Sequence, residues 1–321
     1  MHIDVHAHIW PKEYLGVLER FGYPEQDHLI GRYFRDGGDS DAEMDSRFAL
    51  MDECGIDMQV ITTSPLLPAF ADEASAREAA VCINDAYAEI VRAHPRRFRA
   101  LAHLPHPHVE ASLEEMARAL DDLGCVGVAM STTIQGRSIV DPIFFPILEE
   151  LDRRGGVLSL HPAGYTCSPL VHARWMIGAP IEDTIAVTDL ITHGIPSRYP
   201  NLKIVVPHLG GALPLLMQRL DNQYPWEAPE TPELPSIAAK RMWYDTIGHG
   251  HVPALRCAVE SLGADRLLLG TDFPALHDDL FRRVIAYVSE VGLSPEELEG
   301  VLGGTARELF GVDAALPALA S

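Results

Sequence analysis

Short apolar, β-branched runs alternate along the chain with longer segments of helical period. The runs are "IDVHAH" (3–8), "MQVITTS" (58–64), "FRALAHL" (98–104), "CVGVAMS" (125–131), "GVLSLH" (156–161), "KIVVPH" (203–208), "MWYDTIG" (242–248) and "RLLLGTD" (266–272). Between them, residues 41–54, 72–94, 110–123, 142–154, 181–193, 211–222 and 252–262 carry helix patterns; 277–292 and 295–310 add a helical tail. Gly55 stands where a helix C-cap belongs. Strands alternating with helices predict βα units around a parallel sheet. Eight such units close naturally as a (β/α)8 TIM barrel. The alternative is an open doubly wound sheet, which usually carries a glycine-rich loop after its first strand. Here the first strand runs into "HAHIWPKEY", which has none. Segments 21–40 and 222–240, rich in Pro, Gly and charge, are expected as excursions over the barrel mouth, and residues 1–321 as a single catalytic domain.

Composition narrows the function classes. The 321 residues are 47% hydrophobic and 22% charged, as in ordinary globular proteins. A formal net charge of -21 argues against nucleic acid or an anionic membrane as partner. It leaves an anionic small substrate open, because local arginines invert the field of a pocket. Cys54, Cys82, Cys125, Cys167 and Cys257 are odd in number and widely spaced, which fits reduced thiols in the cytoplasm. No apolar run is long enough to span a bilayer. The N-terminal stretch goes straight into a strand pattern with no basic or apolar leader, so a cytosolic protein is expected.

The chemistry gathers at strand ends. Residues i and i+2 of a strand face the same way, so His6 and His8 form a pair. They end the first strand, His161 the fifth, His208 the sixth and Asp272 the eighth. Each alone has a plain structural reading: a lone His is usually hydrogen-bonded, and Asp often caps a turn. The active site of such a barrel lies at the C-terminal ends of its strands. Together these residues offer nitrogen and carboxylate ligands for Zn²⁺ or a similar divalent ion. Three or four of them can bind one metal and leave a position open, which lowers the pKa of bound water or polarises a substrate oxygen. His103, His106 and His108 run on into a Pro-rich loop and are expected to be structural or surface residues, as are His28, His172 and His193. His249 and His251 follow the seventh strand and are candidates for the pocket lining.

The motifs "DVHAH", "HP", "HLGG" and "GTDFP" resemble the amidohydrolase superfamily, more narrowly its amidohydrolase-2 branch, which includes aminocarboxymuconate-semialdehyde and related aromatic acid decarboxylases. The likeness continues through "WPKEY", "RFALMDECGID", "HPRRFRALAHLP", "YPNLKIVVPHLGG" and "GGTARELFG", nearly the whole chain. The resemblance implies one divalent metal, Zn²⁺ first and Mn²⁺ second, held by His6, His8, His161 and Asp272. It implies that His208 is the acid–base histidine, with Asp272 sharing catalysis if it loosens from the metal. It further implies that Arg47 and Arg219 bind substrate, Arg219 reaching the neighbouring subunit's site in a homodimer. Read from the residues alone, both arginines are ordinary solvated helix positions. The expected activity is non-oxidative decarboxylation of an aromatic or unsaturated carboxylic acid, aminocarboxymuconate-semialdehyde-like or hydroxybenzoate-like, with release of CO2. The same site also suits a lactone or amide hydrolase or a hydratase. After His161 the chain reads "PAGY", where those muconate decarboxylases carry a tryptophan directly after the proline, so the substrate is left open.

Overall fold

The computed structural model describes residues 1–24, 30–164 and 172–312. At its centre stand parallel strands: β1 (Ile3–His8), β2 (Met58–Thr62), β3 (Phe98–Ala100), β4 (Ala102–His103), β5 (Val128–Ser131), β6 (Val157–His161), β7 (Lys203–Val206), β8 (Trp243–Asp245) and β9 (Leu267–Leu268). The first three pair in chain order, and β4 to β9 pair in chain order in a second run. Two seams join the runs into a ring. At the first, Leu101 N–H donates to Ile61 O at 3.1 Å and Ala102 N–H to Gly127 O at 2.8 Å, so β3 and β4 act as one stave with a neighbour on each side. At the second, Val5 N–H donates to Leu269 O at 2.8 Å, His8 N–H to Phe273 O at 2.7 Å and Asp272 N–H to His6 O at 2.9 Å. The result is the eight-stave barrel that the alternation predicts, with shorter strands.

The strands form because each is apolar and covered on both faces, as parallel strands are; all six residues of β1 are buried. One core cluster inside the ring joins Ile3, Val5, Met58, Val60, Leu101, Val157, Val205 and Leu268 to Leu309 and Phe310 of the tail, which caps the end of the barrel opposite the mouth. A second cluster fills the layer between strands and helices. That outer layer holds α1 (Lys12–Arg20), α2 (Asp41–Cys54), α3 (Glu73–Ala93), α4 (Val109–Ala117), α5 (Phe145–Arg154), α6 (Ala179–Thr192), α7 (Leu213–Glu227), α8 (Val252–Leu262) and α9 (Asp279–Ala286). Helix α2 starts at a Ser40–Glu43 capping box and ends on Gly55 in the left-handed conformation, as expected. The pattern assigned no element to 12–20, yet Tyr14, Leu15, Val17 and Leu18 bury one face of α1 there.

The two expected excursions differ. From the first, Ile30, Tyr33 and Phe34 do reach the mouth. The second does not: residues 222–227 complete α7, and Pro235–Ala239 packs back on α6 and α7. Pro235 begins that short helix, and the Asp221 carboxylate accepts the Ser236 N–H at 2.9 Å, so the segment lies along the barrel flank. No described helix is long and apolar enough to cross a membrane. Cys54, Cys82, Cys125 and Cys257 are free thiols, and Cys167 and His28 lie outside the described residues.

Candidate active site

The pairing of β1 with β2 slips between Asp4 and Ala7. A slip of register changes which way the following side chains face. Asp4 meets Gln59 and Thr271 at 2.9 and 2.6 Å. His6, two positions on, instead meets Asp245 at 2.7 Å. The rings of His6 and His8 lie edge to face with centroids 4.9 Å apart, and His161 at the end of β6 stands 5.1 and 5.3 Å from them. His208, two residues beyond β7, is 5.3 Å from His6. The Asp272 carboxylate closes the group, its Oδ1 3.1 Å from His8 Nε2 and 3.7 Å from His6 Nε2. One ligand atom each from His6, His161, His208 and Asp272 lies within 4.8 Å of the others. The structure thus gathers all five predicted strand-end residues, with His208 inside the tightest four and His8 against Asp272.

The donor set fits a divalent metal. His6 Nε2 is buried with no hydrogen-bond partner, while its Nδ1 is tied to the Asp245 carboxylate. His161 Nδ1 donates to the Pro162 carbonyl at 2.8 Å, which leaves its Nε2 as the lone-pair nitrogen. Outer partners that fix the tautomer in this way are characteristic of metal-binding imidazoles. Burial pushes His8 down to about 4 against the pull of Asp272, and pushes His161 well below the usual range, so both are neutral and able to ligate. Burial works against charge on His208 too, but Asp183, Asp245 and Asp272 outweigh it and raise it to about 9. Burial likewise disfavours the charge on Asp272, yet the hydrogen bond from His8 and the nearby His6 and His208 hold it below the usual carboxylate range.

Two carboxylates that the sequence reading did not single out organise these rings. Asp245 ends β8 and holds both His6 Nδ1 and, through its other oxygen, the His208 N–H at 2.8 Å. A Cβ at Gly270 would meet the Asp245 Cβ at 2.8 Å, so glycine there gives Asp245 its room. Asp183, fully buried on α6, lies 2.8 Å from His208 Nδ1, and burial raises it to about 6. The chain passes α6 closely after His208: at Gly211, with φ +63°, a Cβ would fall 2.2 Å from the Pro180 carbonyl. Asp245 repeats the strand-end signal already used for Asp272. Asp183 sits within a helix, "IEDT", and carries no such signal. Because Asp245 holds the His6 ring and the backbone N–H of His208 at once, Asp245→Asn is expected to weaken metal binding by about 10–100-fold, as measured by competition with a chelator of known affinity.

Above the cluster opens a cavity of about 660 Å³. Its walls are chiefly Trp10, Phe34, Trp175, Leu209, Ile247 and Leu276, with His249 at the rim. Trp10 stacks on His8, ring centroids 5.4 Å apart and planes within 7°. Among the described lining residues none is Arg or Lys. His251 is exposed at the start of α8 and does not line the cavity.

Neither predicted substrate arginine lines it either. Arg47 is 0% exposed behind β1. It donates to His8 O at 2.6 Å, Asp36 O at 3.0 Å and Gln59 Oε1 at 2.9 Å, with its guanidinium 4.4 Å over the Phe273 ring. Arg47 thus reaches from α2 to the His8 carbonyl on β1 and to Gln59 on β2, so the side chain is spent on holding the backbone of His8. Arg47→Met is therefore expected to cost about 3 kcal/mol or more of stability, because three buried acceptors lose a charged donor; denaturant unfolding measures it. A purely substrate-binding Arg47 would leave stability unchanged and raise KM. Arg219 is exposed on α7. His103 and His106 are buried rather than at the surface, His108 is half-buried against Phe70 O, and His172 and His193 are exposed.

A family model described as Amidohydrolase (Amidohydro_2) matches residues 3–312. The chain is 30% identical over 332 residues to 2-amino-3-carboxymuconate-6-semialdehyde decarboxylase of Dictyostelium discoideum, covering 97% of this chain and 92% of that one. It is 30% identical over 291 residues to gamma-resorcylate decarboxylase of Polaromonas sp., covering 83% and 86%. Among solved structures, a dihydroxybenzoic acid decarboxylase from Polaromonas sp. with bound manganese and the inhibitor 2-nitroresorcinol superposes with a TM-score of 0.81 at 27% identity, over 98% of each chain.

Proposed function

The chain belongs to the amidohydrolase family, as a carboxy-lyase, and on that premise we propose that it releases CO2 from a hydroxy- or methyl-substituted benzoate with one bound divalent metal. The observation that carries this reading is the cavity itself, aromatic and apolar in its walls with imidazoles and one carboxylate at its floor. A flat ring fits beside Trp10, and its carboxylate and neighbouring hydroxyl reach the floor. His6, His8, His161 and Asp272 would hold the metal. Three imidazoles and a carboxylate favour Zn²⁺, and Mn²⁺ suits them as well. When bound, the metal supplies a Lewis acid that polarises the substrate oxygens.

The chain's own residues do the rest. The walls exclude water and orient the ring. His208 carries the proton, held by Asp183 at Nδ1. As the bond between ring carbon and carboxylate breaks, its electron pair stays on the ring carbon, and that carbon takes the His208 proton. CO2 leaves, and the neutral His208 regains its proton from solvent.

Exposed Trp175, Met176 and Ile177 before α6, with Leu215 on α7, support a homodimer. Arg219 lies on the same helix as Leu215 and would then offer a cation to the cavity of a second copy. Size-exclusion chromatography with light scattering tests this, and a monomer rejects it. The four free thiols support a cytoplasmic setting. For the activity, metal-loaded protein is incubated with a panel of hydroxy- and methylbenzoates and aminocarboxymuconate semialdehyde, and CO2 is measured. Release from at least one benzoate supports the reading. Hydrolysed or hydrated product without CO2, or no CO2 from any acid, overturns it.

A further inference from the structure

A second cavity of about 510 Å³ lies beside the first, beyond the ends of β2, β4, β5 and β6. The two share Pro65, and the sequence neighbours Arg174 and Trp175 face one each. Leu66, Leu67, Phe70 and Ile134 make most of its wall apolar. His106 stands in that wall, 1% exposed, with neither ring nitrogen hydrogen-bonded. Its backbone is satisfied, the N–H donating to Leu104 O at 2.8 Å and the carbonyl accepting from Phe70 N–H at 3.2 Å. The ring meets Phe144 edge to face, centroids 5.9 Å apart. Buried polar side chains are nearly always paired, so two idle nitrogens on one imidazole point to an absent partner. Burial pushes the ring down to about 3, so it is neutral and offers one N–H and one lone pair.

The companions define the chemistry. Ser131 lines the cavity and makes only a long 3.4 Å hydrogen bond, to the carbonyl of His161. The cation in the wall, Arg174, is engaged by the carbonyls of Ala163 and Gly164 and by the Trp175 ring. Among the described lining residues a carboxylate therefore finds neither a free cation nor a protonated imidazole. A hydroxyl finds a neutral imidazole and a serine on an apolar wall. We propose that this cavity is a second binding site for a small neutral phenol, its ring against Leu66, Phe70 and Ile134 and its hydroxyl on His106. The volume suits a one-ring ligand. Decarboxylation of a hydroxybenzoate yields such a phenol, a link that rests on the reading above; the site itself does not depend on it. Ser131 joins the site to the backbone of His161.

Resorcinol is the probe. Crystals of the metal-loaded protein are soaked in it, and its affinity is measured calorimetrically for wild type, His106→Phe and Thr133→Trp. Thr133 lies half-buried on the hairpin formed by Thr133–Ile134 and Arg137–Ser138, outside the barrel, so Thr133→Trp keeps the test intact should His106→Phe fail to fold. Resorcinol density against His106, with affinity reduced at least tenfold in the folded variants, supports the proposal. Density in the metal cavity alone, water alone on the two nitrogens, or equal affinity in wild type and variants overturns it. CO2 release is read separately, so failure of the activity and failure of this site are distinct results.

Discussion

Asp272→Ala is expected to strip the protein of its metal and to lower CO2 release about 10³-fold, the equivalent of some 4 kcal/mol of transition-state stabilisation. Asp272 is the one ionised donor in the proposed ligand set, and its Oδ1 stands 3.1 Å from His8 Nε2 and 3.7 Å from His6 Nε2. Its backbone is in the left-handed region, φ 60°, which an aspartate tolerates and most residues do not. The His6 O to Asp272 N–H bond of 2.9 Å holds that turn against β1. Without the carboxylate, His6, His8 and His161 remain, and none of them is an anionic ligand that balances a dication. Elemental analysis of the purified variant should find well under one metal per chain. A variant that keeps a full metal and more than a tenth of its turnover would remove Asp272 from the ligand set.

His208→Gln is expected to act differently: kcat falls by about 10²–10⁴-fold, the usual worth of a positioned general acid, with metal content intact and KM within a few-fold. The basis is the 2.8 Å contact with buried Asp183, which holds a proton on the ring, and the 2.8 Å bond from the His208 N–H to Asp245, which fixes its approach to the cluster. His208 also lies within the tightest group of four donors. Metal loss in this variant would make His208 a ligand and pass the proton to another group. Measuring metal content and kcat on the same preparation separates the two roles.

The barrel was legible because buried parallel strands are continuous apolar runs, and "KIVVPH" or "RLLLGTD" can be little else. The five clustered side chains were legible because each ends such a run. What escaped the sequence depends on contacts that chain order hides. Asp245 meets His6 across 239 positions, and Asp183 meets His208 from a helix whose acidic residues would ordinarily face water. Glu182 and Asp183 are both buried on α6, Glu182 holding Thr132 Oγ1 at 2.5 Å and the Ala163 N–H at 2.9 Å. The family resemblance implies a substrate contact for Arg47 and its helix position alone a solvated one, whereas the side chain is buried on His8 O, Asp36 O and Gln59, contacts that no single-segment pattern records. The register slip in β1 is equally invisible, since it belongs to the pair of strands.

The second seam of the ring bears on how the protein is made. His8 and Asp272 lie 264 positions apart, and β1 receives its second neighbour only from β9 and the turn after it. At the roughly 5–20 residues per second of synthesis, the imidazoles of β1 leave the ribosome tens of seconds before their carboxylate exists. Through that interval the nascent barrel lacks a stave, and His6 and His8 are half of the proposed ligand set. For the proposed ligand set, ion capture would fall at the end of biogenesis, when the last strand docks on the first.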